Sequence, residues 1–209
     1  MNTIFFFFRG ILIGLSIAAP VGPIGVLCIR RTLVEGALVG LLSGLGAATA
    51  DAIYGMIAGF GLTLLSAILV GQVFWFQLVG GLFLVYLGVT TAIAPPAQQE
   101  AKTQSNRGLL GAYLSTLLLT LTNPLTIASF AAVFAGLGLA KHTGEIVSTL
   151  LLVLGVFLGS ALWWLVLSGS VSLLRAKINL CGLRWVNRIA GIVLVAFGAI
   201  ALTSLGWSN

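Results

Sequence analysis

The chain has 209 residues, of which 59% are hydrophobic and 7% charged, with a mean hydropathy of +1.17. A soluble domain carries about a quarter charged residues, so this composition excludes one and leaves an integral membrane protein. The net charge of +6 would point a soluble protein toward nucleic acid, but here the Lys and Arg residues fall mainly at the ends of apolar runs and read as topology signals, so no nucleic-acid partner is expected.

Only helices and closed barrels satisfy their backbone in lipid, and the apolar runs are long and unalternating, so the expected fold class is all-α, a polytopic bundle in the bilayer. Six spans are predicted, over residues 5–29, 36–60, 74–93, 109–139, 146–174 and 185–205. No Lys or Arg precedes the first run, which continues for ten residues past "SIAAP", so the first helix is expected to be retained rather than cleaved as a signal peptide.

The first span contains "SIAAPVGPIGV". Pro20 and Pro23 lack an N–H and clash with carbonyls four residues earlier, which frees the carbonyls of Ser16 and Ala19. Gly22 adds backbone freedom. The second span opens with Gly36, Gly40 and Gly44 at four-residue spacing, which permits close helix approach in lipid, either within the subunit or across a homodimer. Asp51 follows about 22 Å into that span at about 1.5 Å per residue. An aspartate there is expected to face the bundle interior and to be protonated, hydrogen-bonded or ion-bound, as a proton or cation coupling group or as a neutral tie between helices. Tyr54, three residues on, shares its face and is a candidate donor to that carboxylate.

Residues 62–71 either lie at the interface or tilt with the third span. The polar stretch "PPAQQEAKTQSNR" (95–107) cannot remain in hydrocarbon and divides the chain into a first repeat (1–94), a linker (95–107) and a second repeat (108–209). With three spans on each side, equivalent spans cross in opposite directions, as in an inverted repeat.

The fourth span repeats the break of the first. In "TLTNPLTIAS", Pro124 frees the carbonyl of Thr120, and Thr122, Asn123 and Thr126 surround it with polar groups. A single proline can be a simple kink; interruptions at matching positions of two halves point instead to a midplane binding site, because half-helix ends present amides and carbonyls to a substrate. The fifth span has no acid to match Asp51; Trp163 and Trp164 stand there, walling a pocket or packing against lipid. Its Gly155 and Gly159 echo the spacing of the second span.

Connections after spans one, three and five hold Arg30, Arg31, Lys102, Arg107, Arg175, Lys177, Arg184 and Arg188, while the opposite side holds only Arg9 and Lys141. Both termini are therefore expected outside, with 95–107 cytoplasmic. His142, beside Lys141, reads as solvated. No cluster of His, Cys and carboxylates suggests a metal site, and no G-x-x-x-x-G-K-[ST] loop suggests nucleotide, so no cofactor is expected. Cys28 and Cys181 are too isolated for a disulfide framework or a C-x-x-C pair.

The stretch "APVGPIGVLCIRRTLVEGALVGLLSGLGAATADAIYG" (19–55) resembles the LysE-type (LysE/RhtB) amino-acid exporter family, and "LTNPLTIASFAAVFAGLG" (121–138) is similar to that family's asparagine-proline element. The resemblance maps the family's first break to Pro20, Gly22 and Pro23, its acidic residue to Asp51, and its second break to Asn123 and Pro124. It implies export of amino acids or related small polar metabolites across a prokaryotic inner membrane against proton entry, by a transporter rather than an enzyme. Export of a metal cation is the alternative, although it needs more ligands than Asp51 provides. A membrane thiol oxidoreductase would require Cys28 and Cys181 to meet.

Overall fold

The structure is a computed structural model that describes residues 3–20, 22–60, 73–94, 106–123, 125–130, 146–175 and 179–203. Every regular element among them is helical: α1 (Thr3–Ala18), α2 (Pro23–Val34), α3 (Ala37–Gly59), α4 (Val73–Ile93), α5 (Asn106–Leu121), α6 (Ile146–Arg175) and α7 (Leu180–Thr203), with a further helical stretch over 125–130. Residues 62–71, most of the 95–107 linker, Pro124, Lys141 and His142 lie outside the described residues.

Four helices are long and apolar enough to cross a membrane, and α1 with α2, bent by 81° at the proline break, makes a fifth crossing if taken as one span. Large apolar side chains remain exposed along them, including Leu154, Leu158, Leu162 and Leu165 on α6 and Trp75, Val79, Leu82 and Tyr86 on α4. A soluble monomer does not carry apolar faces of that extent; in lipid they are the outer surface.

Two predicted boundaries move. The first span does not stop at Ile29: α2 continues to Val34 because Arg30 and Arg31, read as end markers, are bonded into the bundle. The sixth begins at Leu180, ahead of the expected 185, and so takes in Cys181. Arg184 and Arg188 are tolerated near its start because both are exposed, where long basic side chains can reach the interface.

Helix directions follow from which residues meet. A Cβ built on Gly10 would strike the Leu152 backbone and one on Gly14 that of Val156, so α1 and α6 run parallel. Gly44 faces Trp164 and Gly55 faces Val156, so α3 and α6 are antiparallel. Gly81 meets Gly198 and Gly88 meets Gly191, which makes α4 and α7 antiparallel as well. Tyr113 bonds Thr49 and Tyr54 bonds Leu121, so α3 and α5 are parallel.

The glycines do the same work at each crossing. In lipid, close backbone approach replaces the hydrophobic drive, and a Cβ on Gly155, Gly159 or Gly46 would collide with a backbone carbonyl of the facing helix. Gly40 and Gly44 face Thr32 and Trp164 of the same chain. These two glycines therefore serve close packing within the subunit. Gly36, at φ 114°, holds the α2–α3 turn in a conformation that L side chains rarely adopt.

Arg30, Arg31 and Arg175 gather at one end of the bundle. Arg30 Nε donates to Asn187 on α7 at 3.0 Å, and Arg175 Nε donates to the Leu33 carbonyl at 3.1 Å. Leu33, Val34 and Leu183 pack beneath them. Because α1 runs parallel to α6 and α7 starts at this end, the start of α1 and the end of α7 both lie at the opposite end.

Candidate functional site

The first break builds one wall of a cavity. Gly22 is the N-cap of α2 in extended backbone (φ −104°, ψ −164°), and Pro23 fills the first helical turn, where its missing N–H removes no helical bond. Gly22 has no side chain to cap that turn. The α2 N-terminus therefore presents backbone N–H groups that no side chain among the described residues caps, with the positive end of the helix dipole, beside Ile24 and Gly25 in the cavity wall.

The second break is capped. Asn123 Oδ1 accepts from the Leu125 N–H at 3.2 Å, its Nδ2 donates to Thr126 Oγ1 at 3.0 Å, and its carbonyl accepts from the Ile127 N–H at 3.2 Å. Asn123 thus behaves as a helix N-cap for 125–130. The expectation that Thr120 offers a free carbonyl is corrected here: the Asn123 N–H turns back onto it at 3.2 Å.

The carbonyl left over belongs to Leu121, whose usual partner, the Leu125 amide, has gone to Asn123. Tyr54 donates its hydroxyl to that carbonyl at 2.5 Å. This corrects the expectation that Tyr54 donates to Asp51. A hydroxyl on α3 closes the break in α5, and nothing in the local sequence of either helix announces the pairing.

Asp51, 3% exposed, takes its hydrogen bond from α6 instead: Ser160 Oγ donates to Oδ2 at 2.7 Å, and Trp164 Nε1 donates to Ser160 Oγ at 3.2 Å. Asp51 Oδ1 has no hydrogen-bond partner among the described residues. Trp164 is buried and lines the cavity, whereas Trp163 packs on the adjoining core.

These elements enclose a cavity of about 150 Å³. Of the expected site residues it gathers Pro20, Gly22, Pro23, Asp51, Thr120 and Asn123. Thr126 and Ser129 bring further hydroxyls. Ser16 is exposed, and the wall at its level is Ile17 and Ala18. Tyr54 stands behind the wall, packed on Phe130 at a ring separation of 5.5 Å. No group of three or more His, Cys, Asp or Glu comes together among the described residues. Cys28 is buried and Cys181 exposed, both as free thiols.

Two residues escaped the sequence reading. Ser160 belongs to no motif of the fifth span, and only its bond to Asp51 marks it. Arg31 looked like a topology marker, yet it is 8% exposed and bonded to α3 and α5. Its helix phase was legible, but not the hydroxyls waiting on two other helices.

Residues 15–205 match the model of the LysE type translocator family. The chain is also similar to the "Putative amino acid efflux protein YcgF" of Bacillus subtilis (strain 168), at 31% identity over 198 residues that cover 92% of each chain. No solved structure matches it. A family match over most of the length, on a multi-pass helical chain broken at the expected prolines, places this protein in the LysE-type translocator family.

Proposed function

We propose that this chain is a secondary exporter of amino acids or related small polar metabolites, working in the inner membrane with the cavity at Asp51 as its substrate site. The observation that carries the reading is the cavity itself: an uncapped half-helix N-terminus and a buried carboxylate face the same small space. An amino acid has the complementary charges. Its carboxylate suits the α2 N-terminus, where the dipole and free amides favour an anion, and its ammonium suits Asp51. Pockets for drug-sized ligands run from about 300 to 1,000 Å³, so a cavity of about 150 Å³ suits a small metabolite. Similarity to the Bacillus subtilis "Putative amino acid efflux protein YcgF" supports the same substrate class.

The architecture behind this reading is six crossings in two inverted repeats, 1–94 and 108–209, joined by a cytoplasmic linker at 95–107. Helix directions support it: α1 opposes α5, α3 opposes α6, and α4 opposes α7. The capped and uncapped breaks stand at equivalent positions of the two halves, near the midplane, as alternating-access transporters arrange their sites. The arginine-rich end is the cytoplasmic one, which leaves both termini outside.

Asp51 couples efflux to proton entry in this scheme. Ser160 holds one oxygen, and the other is open to a proton or to the substrate ammonium, so the two compete for the same group. Efflux from proteoliposomes, screened over amino acids with and without an imposed proton gradient, tests the function. Gradient-dependent efflux of at least one amino acid is expected. Absence of any gradient-driven flux from proteoliposomes that contain the folded protein would overturn it, and an Asp51→Asn variant that keeps the same rate and pH dependence would remove the coupling role.

A further inference from the structure

A second cavity, of about 320 Å³, opens at the arginine-rich end, with Arg30, Arg31, Glu35, Thr91, Gly108 and Gly111 among its walls. Arg31 is the group in it that calls for a partner. The two Nη1 hydrogens are shared among Ser43 Oγ at 2.8 Å, the Ala112 carbonyl at 2.9 Å and Thr116 Oγ1 at 2.9 Å, and Nη2 donates to Ser115 Oγ at 2.8 Å. Every one of those acceptors is neutral. Glu35 accepts from Arg30 Nη1 at 2.7 Å, and its charge also acts on Arg31, with no hydrogen bond from the Arg31 guanidinium to its carboxylate among the described residues.

Buried cations are normally held by an anion, because neutral acceptors repay only part of their lost hydration. Arg31 still has its Nε hydrogen and one Nη2 hydrogen without an acceptor among the described residues. Donors on Nε and Nη can grip a carboxylate side by side, with charge-assisted bonds stronger than neutral ones. Room for such a group exists: a Cβ on Gly108 or Gly111 would meet nothing within 4 Å.

Arg31 also stands between this cavity and the one at Asp51. Its anchors Ser43 and Thr116 lie two turns before Asp51 and one turn before Thr120 on α3 and α5, and Thr120 and Asp51 line the inner cavity. At about 1.5 Å per residue, the two levels are roughly 6 to 12 Å apart.

We propose that this outer cavity is a carboxylate-binding entry vestibule, in which Arg31 receives the carboxylate of the transported molecule before it reaches the inner cavity. The identity of that molecule as an amino acid rests on the exporter reading above; the affinity for a carboxylate does not.

The test uses the full-length protein in detergent and follows its thermal midpoint with three probes: an equimolar mixture of L-amino acids, the same amino acids as their amides, and inorganic phosphate. The acids are expected to stabilise the wild type more than the amides or phosphate do. Arg31→Lys, which keeps charge but loses the planar fork, and Gly111→Leu, which fills the vestibule without touching an Arg31 bond, are each expected to weaken the apparent affinity for the acids by roughly tenfold or more. Both should bring acids and amides closer together. A purely structural role for Arg31 would lower the response to acids and amides alike. An unchanged acid-to-amide ratio in both variants overturns the proposal, as does a wild type that responds to none of the probes. Stabilisation by phosphate that amino acids cannot displace would overturn it too, and would identify an anionic headgroup site. Proteoliposome efflux by the same variants separates the two readings. Arg31-dependent binding in a wild type that transports nothing refutes the exporter reading and keeps the vestibule; transport with an Arg31-independent ratio does the reverse.

Discussion

At the scale of single residues, the inner cavity depends on two hydroxyls that settle groups created by helix breaks and by burial. Tyr54 closes the Leu121 carbonyl. Removing that hydroxyl leaves a buried acceptor unsatisfied, at a cost of about 1 to 3 kcal/mol. Tyr54→Phe is therefore expected to lower the thermal midpoint and slow efflux while leaving substrate selectivity intact, measured by melting in detergent and by transport with competing amino acids. Ser160 acts on Asp51 itself. Ser160→Ala takes away the hydrogen bond that holds one carboxylate oxygen in place, so gradient-driven efflux is expected to slow several-fold, as read from proteoliposome transport. The sequence pointed to Asp51 and Tyr54 as a local pair because they lie three apart on one helix. Their partners turned out to sit on α6 and α5, a choice made by packing rather than by spacing.

At the scale of elements, the two breaks differ in the residue that stands just before the half-helix proline, Gly22 in the first and Asn123 in the second. Asn123 caps its half-helix internally, whereas the α2 N-terminus is left for something else to cap. Gly22 lies in extended backbone with nothing within 4 Å of a built Cβ, so Gly22→Ser fits without strain. Its hydroxyl would cap α2 and is expected to stabilise the protein by a few tenths of a kcal/mol, because glycine is itself a tolerated N-cap. The same variant should bind substrate more weakly, because the added hydroxyl occupies the amides. A variant that melts later and transports worse is the expected combination, and one that transports equally well would show that those amides do not hold the substrate. The α1–α6 crossing makes a second prediction. A Cβ on Gly159 would collide with the Ile11 backbone, so Gly159→Val should destabilise by about 1 to 3 kcal/mol or more, seen as a lower melting midpoint and reduced membrane yield.

At the scale of the whole molecule, the bundle has two distinct ends. Arg30, Arg31 and Arg175 meet at one, where α7 begins, and the start of α1 and the end of α7 stand at the other. The chain carries its own probe of orientation: Cys181 is exposed near the start of α7, and Cys28 is buried. The proposed orientation puts the arginine-rich end in the cytoplasm, so a membrane-impermeant maleimide should label Cys181 in inverted vesicles and not in intact cells. Labelling in intact cells would reverse the orientation. Cys181→Ser removes the signal and identifies the site.

Composition and hydropathy alone determined that this chain is a helical membrane protein, because a backbone in lipid has few ways to satisfy its polar groups. They also located the break at Pro20 and Pro23 and the acid at Asp51, since a proline without an N–H and a carboxylate in hydrocarbon are visible wherever they fall. Tertiary structure alone decided who answers them: Tyr54 for Leu121, Ser160 for Asp51, and three neighbouring hydroxyls with one carbonyl for Arg31. The periodicity of one helix gives the phase of its side chains and says nothing about which other helix stands opposite. That pairing is set by close crossings such as Gly155 on α1 and Gly44 on Trp164, where the absence of a side chain fixes the register of everything around it.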